Sequence, residues 1–134
     1  MKTSVTCTTV ENYQIQVRTA DHAWIVDEPT RIGGDGLGPN PFDLLLASIG
    51  SCMLVTVTYH ASEAGLPFER LWVDVAGEWR GEGDDEKYHV TITLRLRGDL
   101  DADALEKLRA LSARCPVKKL LEGNAVFETR VQQV

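Results

Sequence analysis

Apolar and β-branched residues reach the start of the chain in short runs, at Thr3–Thr9, Tyr13–Thr19 and His22–Val26. Glu11-Asn12 and Ala20-Asp21 break them apart, so each run predicts a short strand. A glycine- and proline-rich loop follows from Pro29 to Pro39, with four glycines between Gly33 and Gly38. Such a loop marks backbone that turns sharply or approaches something closely. No Lys-Ser/Thr follows it, so it is not a phosphate loop.

The pattern then changes. Asn40 as N-cap, Pro41 at the first helical position and Asp43 at the third announce a helix. From Leu44 to Val57 it is apolar or small on every side, and a helix without a polar face is buried all round. One sheet of so short a chain covers one side only, which predicts a homodimer with two such helices packed together. Gly65-Leu66-Pro67 ends the helix.

Two long alternating strands come next. Leu71, Val73 and Val75 share a face of the first; Tyr88, Val90, Ile92, Leu94 and Leu96 share a face of the second. Gly81–Asp85 supplies the hairpin turn. Asp101 caps a second helix whose Ala104, Leu108 and Leu111 point inward, and Cys115-Pro116 opens a short third helix that Gly123-Asn124 stops. Ala125–Val131 reads as a last strand. The expected order is βββ-α-ββ-αα-β, an α+β fold with mostly antiparallel pairing, in one domain over residues 1–134.

Composition narrows the partners. A content of 43% hydrophobic and 25% charged residues is that of an ordinary globular protein, and a net charge of −6 disfavours nucleic acid and anionic membranes. The N-terminus turns polar at once, and the uncharged stretch Leu44–Tyr59 reads as too short to span a bilayer. Both point to the cytoplasm, where thiols are held reduced and a functional disulfide is transient.

The chemistry centres on three cysteines, at positions 7, 52 and 115. They form no CxxC pair and no zinc spacing, so neither a metal nor a cofactor is expected. Cys7 alternates within the first strand and reads as structural. Cys52 lies inside the apolar helix, as a core thiol or as a nucleophile. Cys115 stands at a helix N-terminus with Lys118 and Lys119 in the next turn, which favours a thiolate; a packing residue at the cap is the other reading. His60 is ~12 Å along the axis from Cys52, and Asp43 ~13 Å, so neither reaches it within the helix. Asp43 fits a capping box with Asn40, and a thiolate at Cys52 calls for an arginine from elsewhere.

Gly33-Gly34-Asp35-Gly36 through Gly38-Pro39-Asn40-Pro41-Phe42-Asp43-Leu44-Leu45-Leu46, then Gly50-Ser51-Cys52, resembles the signature of the OsmC-like family, which includes the osmotically inducible and the organic hydroperoxide resistance proteins. Cys115-Pro116-Val117-Lys118-Lys119-Leu120-Leu121 after a long hairpin and a helix resembles its second half. The resemblance implies antiparallel sheets around a long buried helix in an intertwined homodimer, with active sites at the subunit interface. It implies a peroxidatic Cys52 and a resolving Cys115, with an arginine that stabilises the thiolate and a carboxylate that orients it. It also implies organic or hydrogen peroxides as substrates and an external dithiol, such as a dihydrolipoyl group, as reductant. In the hydroperoxide-resistance branch the acid directly follows Asn-Pro. Here Phe42 holds that slot, and Asp43 comes one position later, about 100° around the helix. Arg18 and Arg31 are the two candidate arginines. Two rival readings stay open: a non-catalytic protein of this fold that binds a ligand or partner, and a redox sensor that forms the disulfide without turnover.

Overall fold

A computed structural model describes residues 2–133 of the chain. Contacts divide the protein into two compact units, Met1–Ala47 and Ser48–Val134.

The first unit is an antiparallel meander of β1 (Thr6–Thr9), β2 (Ile15–Arg18) and β3 (Ala23–Val26), with β2 in the middle. The strands are shorter than the sequence suggests because pairing stops at the turns: Thr6 is opposite Arg18, and Arg18 opposite Ala23. Asn12 takes a positive φ of 49° at the first turn, a conformation asparagine tolerates better than most residues. Val17 and Val26 are buried.

After β3 the glycine loop folds back on the strand. A Cβ on Gly34 would lie 1.9 Å from the Glu28 carbonyl oxygen, and one on Gly38 would lie 2.1 Å from that of Ile25. Only glycine permits such approaches. Helix α1 (Pro41–Glu63) then begins in the predicted capping box. The Asp43 amide donates to Asn40 Oδ1 at 2.9 Å and the Asn40 amide to Asp43 Oδ2 at 3.1 Å. The helix continues into the second unit and ends at Gly65, whose φ is +65°.

In the second unit β4 (Arg70–Arg80) and β5 (Lys87–Arg97) form an antiparallel hairpin. Its register places Leu71 opposite Leu96, Val73 opposite Leu94 and Val75 opposite Ile92, so the two apolar faces coincide as expected. The other face is polar: Trp72 lies under the guanidinium groups of Arg70, Arg95 and Arg97. Helix α2 (Ala102–Ser112) starts at Asp101, whose carboxylate accepts from the Ala104 amide at 2.8 Å, and α3 (Pro116–Leu121) follows.

The core is Met53, Val57, Ala61, Leu108 and Cys115, surrounded by Leu71, Val73, Ile92, Leu94, Leu96, Leu111 and Val117. Each fully buried apolar side chain there contributes roughly 1.5–3 kcal/mol. Gly50 lets the hairpin approach the helix: a Cβ there would be 3.2 Å from Val73 and 3.3 Å from Val75.

Two expectations are corrected. Ala125–Val131 is not a strand; it pairs with none of the described strands, and Val126, Phe127 and Val131 stay almost wholly exposed. The apolar segment is not too short for a bilayer, since α1 has 23 residues, a mean hydropathy of 1.6 in its most apolar window, and passes that test by length and composition. As expected of one copy, hairpin and helices cover one side of α1, the stripe of Ile49, Gly50, Met53, Val57 and Ala61, while Val55 is 70% and Tyr59 62% exposed. Its buried stripe within the protein core is what assigns it to the fold.

Candidate functional site

Two cysteines from distant parts of the chain meet on the core side of α1. Cys52 is part-buried and packs against the core cluster; the Thr56 hydroxyl donates to its carbonyl oxygen at 2.8 Å. Cys115 is the N-cap residue of α3. Proline at the next position disfavours helical backbone for the residue before it, and Cys115 has an extended ψ of 116°. That break after α2 turns its side chain inward. It is 0% exposed, and its thiol donates to the carbonyl oxygen of Ile49, one turn before Cys52, with 4.0 Å between sulfur and oxygen. Cys52 packs against the cluster that contains Cys115, and neither cysteine is in a disulfide.

The electrostatics reverse what the position of Cys115 suggests. Burial is the largest influence and pushes its thiol above the ordinary value, because an apolar surround disfavours the charged form. The Lys118 backbone N–H lowers it, the neighbouring Cys52 raises it, and the Val117 N–H lowers it. The upward influences win. The lysine ammoniums expected to help the thiolate lie elsewhere: Lys118 Nζ is 2.5 Å from Glu122 Oε1, and Lys119 is exposed. Cys115 is therefore a protonated thiol, not a poised thiolate.

An apolar cavity of about 460 Å3 opens between β5 and α2, lined by neither cysteine. Met53, the residue after Cys52, lines it together with Leu94, Leu96, Leu105 and Leu108, and Arg109 and Lys118 add positive charge.

The remaining candidates belong to the first unit. Asp43 is engaged in its capping box with Asn40. Arg18 ends β2 and Arg31 lies in a short 3-10 turn at Thr30–Ile32; both are exposed. Cys7 is exposed on β1.

Sequence reasoning missed Asp27, the buried charged residue of the first unit, 1% exposed. Its carboxylate accepts from the amides of Glu28 at 2.8 Å, Asp35 at 3.2 Å and Leu37 at 3.1 Å, so the glycine loop is wound around it. The available signal was an acid closing an apolar strand, Ala23-Trp24-Ile25-Val26-Asp27, directly before the loop.

Residues 33–130 match the OsmC-like protein family, and the chain belongs to it. No curated protein matches the sequence. Among solved structures, an OsmC-like protein from Mycoplasma pneumoniae superimposes with a TM-score of 0.79 at 18% identity, covering 92% of this chain and 89% of that one. An organic hydroperoxide resistance protein from Legionella pneumophila gives 0.73 at 19% identity, with 92% and 91% covered. Another from Elizabethkingia anophelis gives 0.73 at 18%, with 92% and 90% covered. At such identities the likeness is one of fold: α+β, antiparallel sheets and a central helix.

Proposed function

We propose that this protein is a thiol-dependent peroxidase that reduces organic or hydrogen peroxides, with Cys52 as the attacking thiolate and Cys115 as the resolving thiol. The observation that carries the reading is the meeting of these two free cysteines, sixty-three positions apart in the chain, in one apolar cluster. Cys52 attacks the peroxide and becomes a sulfenic acid; Cys115 condenses with it to a disulfide. An external dithiol, such as a dihydrolipoyl group, then restores both thiols by exchange. The apolar surround suits a hydrophobic peroxide and keeps water from the sulfenic acid. Reduced thiols and a transient disulfide suit the cytoplasm.

The working form is a homodimer. Two apolar surfaces left open by the single chain support this, the Val55–Tyr59 face of α1 and the tail bearing Val126, Phe127 and Val131. Arg18 and Arg31 are the candidates for a guanidinium beside the Cys52 thiolate. Asp43, held at the helix start, is the candidate carboxylate.

Peroxide consumption with a dithiol reductant tests the assignment. Cys52→Ser is expected to lose it entirely, whereas Cys115→Ser permits one turnover and stalls at the sulfenic acid. Multiple turnovers in the Cys52 variant would eliminate the peroxidase reading. A disulfide that forms once and is never recycled would leave a sensor instead.

A further inference from the structure

We infer that Cys115 acts before it resolves: its thiol is the proton donor to the alkoxide that leaves when Cys52 attacks a hydroperoxide. The inference deepens the peroxidase reading and rests on it.

Breaking the O–O bond of R–O–O–H by a thiolate expels RO⁻, a far stronger base than any thiolate, so protonation of the leaving oxygen favours the step. A donor must touch the reacting atoms and hold its proton until then. Cys115 meets both conditions. Cys52 packs against its cluster, and the Cys115 sulfur is 4.0 Å from the carbonyl oxygen of Ile49, one turn before Cys52, a contact that only the protonated thiol makes favourably. Among the described residues, the rivals near the sulfurs are occupied or carry no acid. Thr56 donates to the Cys52 carbonyl oxygen, Lys118 is paired with Glu122, and the buried neighbours Met53, Val57, Ala61 and Leu108 carry no acid. Burial holds the proton on Cys115.

The steps balance. Cys52–S⁻ attacks the terminal oxygen; the S–O bond forms, the O–O bond breaks and its electron pair leaves on RO⁻. The peroxide is reduced by two electrons, and the sulfur of Cys52 is oxidised to Cys52–S–OH. The proton of Cys115–SH passes to RO⁻, which gives ROH and Cys115–S⁻. This new thiolate attacks the sulfur of Cys52; the S–S bond forms, the S–O bond breaks, and hydroxide leaves to take a proton from solvent. One proton transfer thus finishes the first step and generates the nucleophile for the second. A thiol held neutral is then an advantage rather than an obstacle to resolution.

The test compares first-turnover rates of the reduced protein with two oxidants, cumene hydroperoxide and peracetic acid, reading Cys52 sulfenic acid by mass after trapping. The alkoxide leaving from the first needs a proton, whereas the carboxylate leaving from the second does not. Cys115→Ala and the better-packing Cys115→Ser are both expected to slow the cumene hydroperoxide reaction by about a hundredfold or more, as loss of a general acid does, and to leave the peracetic acid rate within about threefold. Equal slowing with both oxidants would reduce Cys115 to a packing role in the first step, and unchanged rates with both would place the proton source elsewhere; either overturns the inference. Wild-type protein that forms no Cys52 sulfenic acid with either oxidant would instead refute the peroxidase reading itself.

Discussion

The carboxylate of Asp27 accepts a hydrogen bond from the amide of Leu37, ten positions further along, at 3.1 Å. The amides of Glu28 and Asp35 donate to the same carboxylate, so one buried side chain holds both ends of the glycine loop. Removing an acceptor strands its donors, at roughly 1–3 kcal/mol for each that stays unsatisfied. Asp27→Ala is expected to lower stability by roughly 2–4 kcal/mol in urea unfolding, and Asp27→Asn, which keeps one acceptor oxygen, by less. A midpoint for Asp27→Ala equal to wild type would show that the loop holds itself.

Two glycines separate the cost of space from that of backbone conformation. Gly34→Ala drives a Cβ to 1.9 Å from backbone, whereas Gly83, at φ +59°, has nothing within 4 Å. Gly83→Ala is expected to cost about 1 kcal/mol for the left-handed conformation. Gly34→Ala should cost clearly more, since carbonyl and loop must both shift. Equal thermal midpoints for the two variants would contradict the tight approach at Glu28.

Val55 is 70% exposed on an otherwise apolar helix. If a second copy covers this face, Val55→Arg buries a charge without a partner and disfavours association strongly. Sedimentation at micromolar concentration is expected to give a dimer for wild type and a monomer for Val55→Arg. A dimeric variant would move the interface away from α1.

The raised thiol of Cys115 makes stability depend on alkaline pH. Its ordinary value is 9.0, and burial pushes it upward. Between that value and the raised one the native state keeps a proton that the unfolded chain has lost. Proton binding is then greater in the native state, and stability falls as pH rises through the window. Below it both states are protonated and the effect vanishes. Guanidinium unfolding from pH 7 to 10.5 is expected to show a steeper alkaline decline for wild type than for Cys115→Ser. Parallel curves would mean that the thiol ionises as readily folded as unfolded.

Most secondary structure could be read directly, because the signals are local. The Asn40–Asp43 capping box, the hairpin faces from Leu71 to Leu96 and the Asp101 cap each depend on residues a few positions apart. Ala125–Val131 has the composition of a strand, but a strand needs an edge, and composition carries no information about whether one is in reach. Asp27 was overlooked for a similar reason: its partners are amides, which look alike at every position.

The sequence by itself determined which segments form the helices, the turns and the paired strands, which family motifs surround Cys52 and Cys115, and that α1 has no polar face. Only the tertiary structure decided which stripe of α1 is covered, that both thiols enter one apolar cluster, and that Cys115 keeps its proton. The physical reason is that caps and periodicity act over a turn or two of chain, whereas desolvation depends on everything packed around an atom. A cysteine before a proline at a helix start reads as activated until the fold removes the water that would have supported its charge.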